Sequence, residues 1–347
     1  MKILKDIIYG VDLDSIKGNT SLIIKSIEFD SRKVVTGSLF VAIKGENIDG
    51  HLFIDKAIEN GACAIICNDY SNKEQKITFI KTPDTRKSLS IVASNFYKNP
   101  SKKIKLVGIT GTNGKTTVAT ILFNLFNKIG IKSGLISTIN IQYGEIKVEN
   151  DNTTPDSKKI NEMLDKMIAN QIEFCFMEVS SHGIDQDRIN GLKFYCGVFT
   201  NISRDHLDYH KSFASYRNVK KKFFDNLTHD SFAIINADDK NSKFMVQNCL
   251  SKIKTFGIKK LADNNAKILE IDFSGMLLKI NNKEFWTPLI GKFNASNLLA
   301  VFSVADVAGI KPIEILRILS QTKGINGRFE ILKTPNNAFV IVDYAHT

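Results

Sequence analysis

A chain of 347 residues, 43% apolar and 24% charged, is long enough for roughly two compact domains and too apolar for a disordered one. No apolar run approaches the ~20 residues that cross a bilayer, and the opening "MKILKDIIYGVDLDSI" has neither a signal-peptide core nor a small-residue cleavage site, so a cytoplasmic protein with no membrane insertion is expected. The net charge of +11 comes from lysines spread along the whole chain with no aromatic-basic signature, which argues against nucleic acid and leaves a positive field suited to a polyanionic small molecule.

In chain order, residues 1–98 read as a small α/β unit. "GSLFVAIKG" is strand-like, "FIDKAIENGA" is a helix closing on Gly61, and "CAIICN" is a buried strand. Cys63 and Cys67 lack the CxxC spacing. With Cys175, Cys196 and Cys249 they form an odd, scattered set, three of them in apolar runs, and reduced thiols are expected. The polar, Pro-containing "YKNPSKKIK" marks the first boundary. A second domain, 99–333, opens with the strand "KLVGIT", a glycine loop, and a helix in which Val118, Ile121, Leu122, Leu125, Phe126 and Ile129 recur at helical spacing. An amphipathic helix at about 156–170 follows, then strands "FCFMEV", "CGVFT", "FAIIN" and "IKTFG". This alternation predicts an α/β fold with a doubly wound, mainly parallel sheet. Residues 334–347, ending on "VIVDYAHT", read as the start of a linker or strand.

The loop "GTNGKTT", Gly111 to Thr117, carries the clearest chemistry. Its glycines let backbone N–H groups approach phosphate oxygens, Lys115 can reach terminal phosphates, and a Thr hydroxyl at the helix start can ligate Mg²⁺. The strict GxxxxGK[ST] template wants Gly where Ile109 stands, so the match is to a shorter form. Glu178 ends an apolar strand, where a carboxylate faces the ligand crevice of a parallel sheet; metal coordination and a buried ion pair both remain open. "FTNISRDHLDYH" gathers Asn201, Arg204, Asp205, His206, Asp208 and His210, which raises a metal or phosphate role for His206. In "SYRNVKKKFFD" spacing singles out no lysine, and Lys221 and Lys222 read as a solvated face. The loops "DNTTPD" and "SSHGIDQDRI" suit a sugar, carboxylate or diphosphate ligand.

Taken together, and in order, "DSRKVVTGSLFVAIKGENIDGH", "GTNGKTT", "TTPD", "MEVSSHGIDQDRI", "TNISRDHLDYH", "YRNVK", "GKFNASN", "GRFE" and "VDYAHT" resemble the Mur ligase family over essentially the whole chain. The opening stretch resembles those members that add the third amino acid to UDP-N-acetylmuramoyl-dipeptide in peptidoglycan synthesis. The resemblance implies an ATP-dependent amide ligase. Ser31 and His51 would hold the uridine end in the N-terminal domain. Asn152, Thr153, Thr154, Ser180, Gln186 and Arg188 would hold the muramoyl-dipeptide. Gly111, Thr112, Asn113, Gly114, Lys115, Thr116 and Thr117, with Asn294, Arg328 and Asp343, would hold ATP. Thr116, Glu178, His206 and a carbamylated Lys220 would ligate two Mg²⁺ ions, and Lys115, Glu178, His206 and Lys220 would be the catalytic set. The partners are then a UDP-sugar dipeptide and a diamino acid, meso-diaminopimelate or lysine, taken by a monomer.

In the family "VDYAHT" leads into a third, Rossmann-like domain that binds the incoming amino acid, so the sequence is expected to be a fragment of a longer protein, binding the UDP-sugar but ligating little. A non-catalytic binding module is the competing reading. A folylpolyglutamate-synthase-like ligase shares the phosphate loop, but the "DSR…DGH" stretch argues against it.

Overall fold

The computed structural model describes residues 2–45, 48–69, 77–325, 327–333 and 339–344. Parts of "GENIDGH" and "VDYAHT" therefore lie outside the described residues. The chain divides into two compact units. The first is Met1–Lys103 with Pro155–Lys166 and Asp185–Leu192; the second is Ile104–Thr154, Met167–Ile184 and Lys193–Thr347.

The first unit is built on strands Ser15–Lys17 (β1), Ser26–Glu28 (β2), Ser38–Val41 (β3), Ala62–Cys67 (β4) and Thr78–Lys81 (β5), in the order β1-β5-β4-β3-β2. All pairs are parallel except β1 with β5. Side-chain alternation of period two sends Leu39, Val41, Ala64, Ile66 and Ile80 into one core and Phe40, Ile65, Cys67 and Phe79 into another. Burial on both faces explains why these strands read as continuous apolar runs. The two later segments join through polar clasps. Lys158 Nζ donates to both carboxylate oxygens of Glu28 at 2.8 Å. Ser90 Oγ shares a hydrogen bond with Ser157 Oγ at 2.6 Å and donates to the Asp187 carbonyl at 2.5 Å.

The second unit holds strands Lys105–Thr110 (β6), Ser133–Ile136 (β7), Ile141–Tyr143 (β8), Ile146–Val148 (β9), Phe174–Glu178 (β10), Cys196–Phe199 (β11), Phe232–Asn236 (β12), Lys252–Gly257 (β13), Asn264–Asp272 (β14), Gly275–Ile280 (β15) and Lys283–Thr287 (β16). They form one sheet ordered β16-β15-β14-β13-β12-β11-β6-β10-β7-β8-β9. From β7 across to β14 the pairs are parallel. Antiparallel hairpins extend both ends. With its parallel centre and antiparallel flanks the sheet is mainly parallel, as expected. Strands β17 (Glu330–Lys333) and β18 (Phe339–Val342) pair separately. The chain builds outward from β6 in both directions, through β10 and β7 on one side and β11 to β13 on the other, and that reversal point is where open α/β sheets leave a crevice.

Two helices pack on this sheet, Lys115–Lys128 on β6, β7 and β10 and Lys292–Val307 on β11 to β14. Lys115–Lys128 buries Val118, Ile121, Leu122, Leu125 and Phe126, the stripe expected from their spacing. Lys292–Val307 is apolar nearly all round and almost wholly buried. A third, Phe213–Asp225, is drawn down by Phe223. Its ring sits over paired glycines, Gly108 of β6 and Gly197 of β11, where an added Cβ would lie 2.7 Å and 3.0 Å from it. One turn before Phe223, the same helix face carries Lys220 inward. All five cysteines are free thiols, with Cys67, Cys175 and Cys196 buried.

Candidate active site

The loop 111–114 leaves β6 and enters the Lys115–Lys128 helix with Gly111 at φ +149° and Gly114 at φ +87°. Glycine is required at both. A Cβ at Gly111 would overlap Thr200 Oγ1, and one at Gly114 would fall 2.5 Å from Asn297 Oδ1. The loop is fastened to the segment after β11. Asn113 N donates to Asn201 Oδ1 at 3.0 Å, while Asn201 Nδ2 and Thr200 Oγ1 donate to the Asn113 carbonyl at 3.1 and 2.6 Å. Thr112 Oγ1 accepts from Ser203 N at 3.0 Å and pairs with Tyr216 OH at 3.1 Å. These bonds shape the cradle before any ligand arrives.

Two lysine Nζ atoms converge on one oxygen. The Gly111 carbonyl accepts from Lys115 Nζ at 3.0 Å and from Lys220 Nζ at 3.1 Å; Lys115 also donates to the Thr112 carbonyl at 2.8 Å. Lys220 is only 1% exposed. Burial, and then repulsion from Lys115, holds its amine well below its ordinary range. Burial likewise lowers Lys115, with Glu178 and Asp205 pulling the other way. Lys221 is also buried, against its reading as a solvated residue, because Asp225 one turn on accepts from it at 2.6 and 2.8 Å; Lys222 is exposed.

Glu178, fully buried at the end of β10, accepts from Thr116 Oγ1 at 3.0 Å, Thr138 N at 2.8 Å and Thr138 Oγ1 at 3.3 Å. Removal from water raises its carboxyl above the usual range, opposed by Lys115, the hydrogen bonds of Thr138 and Thr116, and Arg328. Thr138 Oγ1 also contacts Thr153 Oγ1 at 3.1 Å. Fully buried Thr154 donates to the Glu178 carbonyl at 2.9 Å and accepts from Ser180 N at 2.8 Å. Asn152 is exposed nearby in sequence. His206 stands at φ +51° ahead of a short helix, its side chain 40% exposed and Nε2 3.5 Å from Asp205 Oδ2. Its ring lies 5.1 Å from that of His182. Among the described residues no three His, Cys, Asp or Glu side chains converge as a metal-binding group. Glu178 and Thr116 nevertheless present adjacent oxygens of the kind Mg²⁺ takes.

Asn294, on the first turn of Lys292–Val307, donates to the Ile290 carbonyl at 2.9 Å and accepts from Asn297 Nδ2 at 3.2 Å, and Asn297 faces Gly114. Arg328 acts electrostatically on both Lys115 and Glu178. Asp343 is exposed just after β18. The remaining expected ligand residues fall in the first unit. Ser31 is buried on a short turn and its carbonyl accepts from Asn60 Nδ2 at 2.8 Å. His51 Nε2 accepts from Asn68 N at 3.0 Å, which leaves its proton on Nδ1, 2.7 Å from Asp49 Oδ1. Gln186 Oε1 accepts from Arg188 Nε and Nη2 at 3.0 and 2.6 Å. The sequence reading missed Thr138, Tyr216 and Asn297. Asn297 lay three residues beyond Asn294, one helical turn, which was the available signal.

Two family models match the chain: "Mur ligase family, catalytic domain" over residues 23–107 and "Mur ligase middle domain" over 109–305. A UDP-N-acetylmuramoyl-L-alanyl-D-glutamate–2,6-diaminopimelate ligase of Phocaeicola vulgatus is 47% identical over 345 residues, 99% of this chain and 71% of that protein. The protein of the same name from Clostridium perfringens is 39% identical over 355 residues, with 99% and 72% covered. A solved structure of a ligase of this name superposes with a TM-score of 0.84 at 25% identity, covering 100% of this chain and 72% of its own. A folylpolyglutamate synthase from Thermotoga maritima shares the fold less closely, with a TM-score of 0.59 at 16% identity over 75% of this chain and 67% of its own. With both family models matched in order and relatives at this identity across its length, the chain belongs to the Mur ligase family.

Proposed function

We propose that this protein is an ATP-dependent acid–amino-acid ligase of peptidoglycan synthesis that joins 2,6-diaminopimelate to UDP-N-acetylmuramoyl-L-alanyl-D-glutamate in the cytoplasm. The relatives' shared name supports this amine over lysine. The observation that carries the reading is the pair of lysines converging on Gly111 O beside the buried Glu178–Thr116 contact. Residues 1–98 serve the uridine end, with Ser31 and His51, and 99–333 serve ATP. Asn152, Thr153, Thr154, Ser180, Gln186 and Arg188 take the muramoyl-dipeptide; Asn294, Arg328 and Asp343 take the nucleotide outside the loop.

The amides of 111–117 and Lys115 would hold the β- and γ-phosphates in line with the dipeptide's terminal carboxylate. That oxygen attacks the γ-phosphorus and ADP departs, giving an acyl phosphate. The neutral amine of the incoming amino acid then attacks the acyl carbon, phosphate leaves, and the nitrogen loses a proton. Thr116, Glu178, His206 and carbamylated Lys220 would hold two Mg²⁺ ions, which when bound supply positive charge against the phosphates. The carbamate suits Lys220 physically. A neutral amine is what adds to CO2, releasing one proton, and the neighbouring Lys115 cation favours the anionic product. Thr138 keeps Glu178 oriented.

Calorimetric titration of this chain should show saturable binding of UDP-muramoyl-dipeptide and of ATP with Mg²⁺, and none of a folate. Folate binding without UDP-sugar binding would overturn the assignment in favour of the folylpolyglutamate-type reading. Ligation assays offering diaminopimelate or lysine decide the amine.

A further inference from the structure

We infer that a cleft on the flank of the phosphate-loop helix is a second small-molecule site, built for a sugar-sized anion that carries hydroxyl donors. The cleft encloses about 820 Å³, within the usual range for ligand sites. One wall is the polar face of the Lys115–Lys128 helix, where Thr120, Asn124 and Lys128 recur at one-turn spacing opposite the buried stripe. The second wall is the hairpin of β8 and β9 with Asn140, Gln142 and Lys147, and the third is the stretch Ile318–Ile325, with Gln321 and Lys323.

Three features point to a ligand rather than a solvated groove. Lys128, Lys147 and Lys323 line the cleft, no acidic residue does, and none of the three lysines has an ion pair among the described residues. The side-chain amides of Asn124, Asn140, Gln142 and Gln321 line the same walls and offer both donors and acceptors to hydroxyl groups. Lysines together with these amides therefore select a molecule with a charged head and hydroxyls. The cleft runs away from the phosphate cradle: its near edge, Thr120, is one helical turn past Thr116, and Lys128 lies about 20 Å along the helix from Lys115.

The test is an NMR titration of the full chain, following the side-chain amides of Asn124, Asn140, Gln142 and Gln321. Ribose 5-phosphate and gluconate serve as probes, the first with a phosphate head and the second with a carboxylate. Saturable shifts at these amides with either probe support the site, and which probe acts identifies the head group. The combined variant Lys128→Gln, Lys147→Gln, Lys323→Gln should weaken binding tenfold or more, whereas Lys115→Met should leave it intact. The inference is overturned by no saturable shift with either probe, by equal affinity in the triple variant, or by loss of the shifts in Lys115→Met. None of these outcomes bears on the ligase reading, which is tested at the phosphate loop.

Discussion

Glu178 and Lys220 are ionisable groups enclosed in protein, and their energetics separate folding from function. Glu178's carboxyl is raised by burial, so in the folded state it keeps its proton to higher pH than in the unfolded chain. Above that point the ionised form lowers stability. Glu178→Gln should therefore be as stable as the parent at pH 8 or more so, while Mg²⁺-dependent ATP binding falls on the order of tenfold or more. Urea midpoints alongside ATP titrations with and without Mg²⁺ check both halves. Lys220 runs the other way. The unfolded chain holds this proton up to its ordinary value near 10.5, whereas the folded protein releases it well below. The unfolded state binds more protons across that window, so this residue makes stability rise with pH up to about 10.5. Lys220→Met should flatten that rise, measured as urea midpoints between pH 7 and 10 in CO2-free buffer. A slope unchanged from the parent would mean that the amine stays charged in the fold.

At the level of elements, the placement of Lys220 depends on a helix seated by ring against glycine. Gly108→Ala would push its new methyl into the Phe194 and Phe223 rings at 2.7 Å. The expected cost is about 1–3 kcal/mol, with a loss of ATP affinity as the Phe213–Asp225 helix shifts, readable by thermal melting and nucleotide titration. Much at this scale was legible beforehand. The loop's strand-before and helix-after context, the Val118–Phe126 stripe and the buried parallel strands are local patterns that tertiary structure did not overrule. The hairpin β8–β9 was not legible, since "IQY" and "IKV" are too short to show a period. Thr138 was invisible for a different reason. Its value comes from lying beside Glu178, forty positions away in the chain, and nothing in "STIN" announces that contact. Lys221 was misread because its partner Asp225 and the neighbouring Phe223 and Phe224 together carry a lysine indoors.

For the molecule as a whole, charge and architecture meet at the margins of the large sheet. Its outermost strands are β9 and β16, which carry Lys147 on one side and Lys283 and Glu284 on the other, all exposed. A strand from another molecule that tried to extend the ladder would have to strip water from those charges. The hairpins are thus guards as well as extensions, and they keep a long, β-branched-rich interior from recruiting copies of itself. Lys147→Val combined with Lys283→Val and Glu284→Val should leave the folded protein's far-ultraviolet spectrum unchanged yet shorten the lag before thioflavin-positive aggregates form at high concentration. By this reasoning, resistance to self-association at high concentration rests on charges carried by two short edge strands.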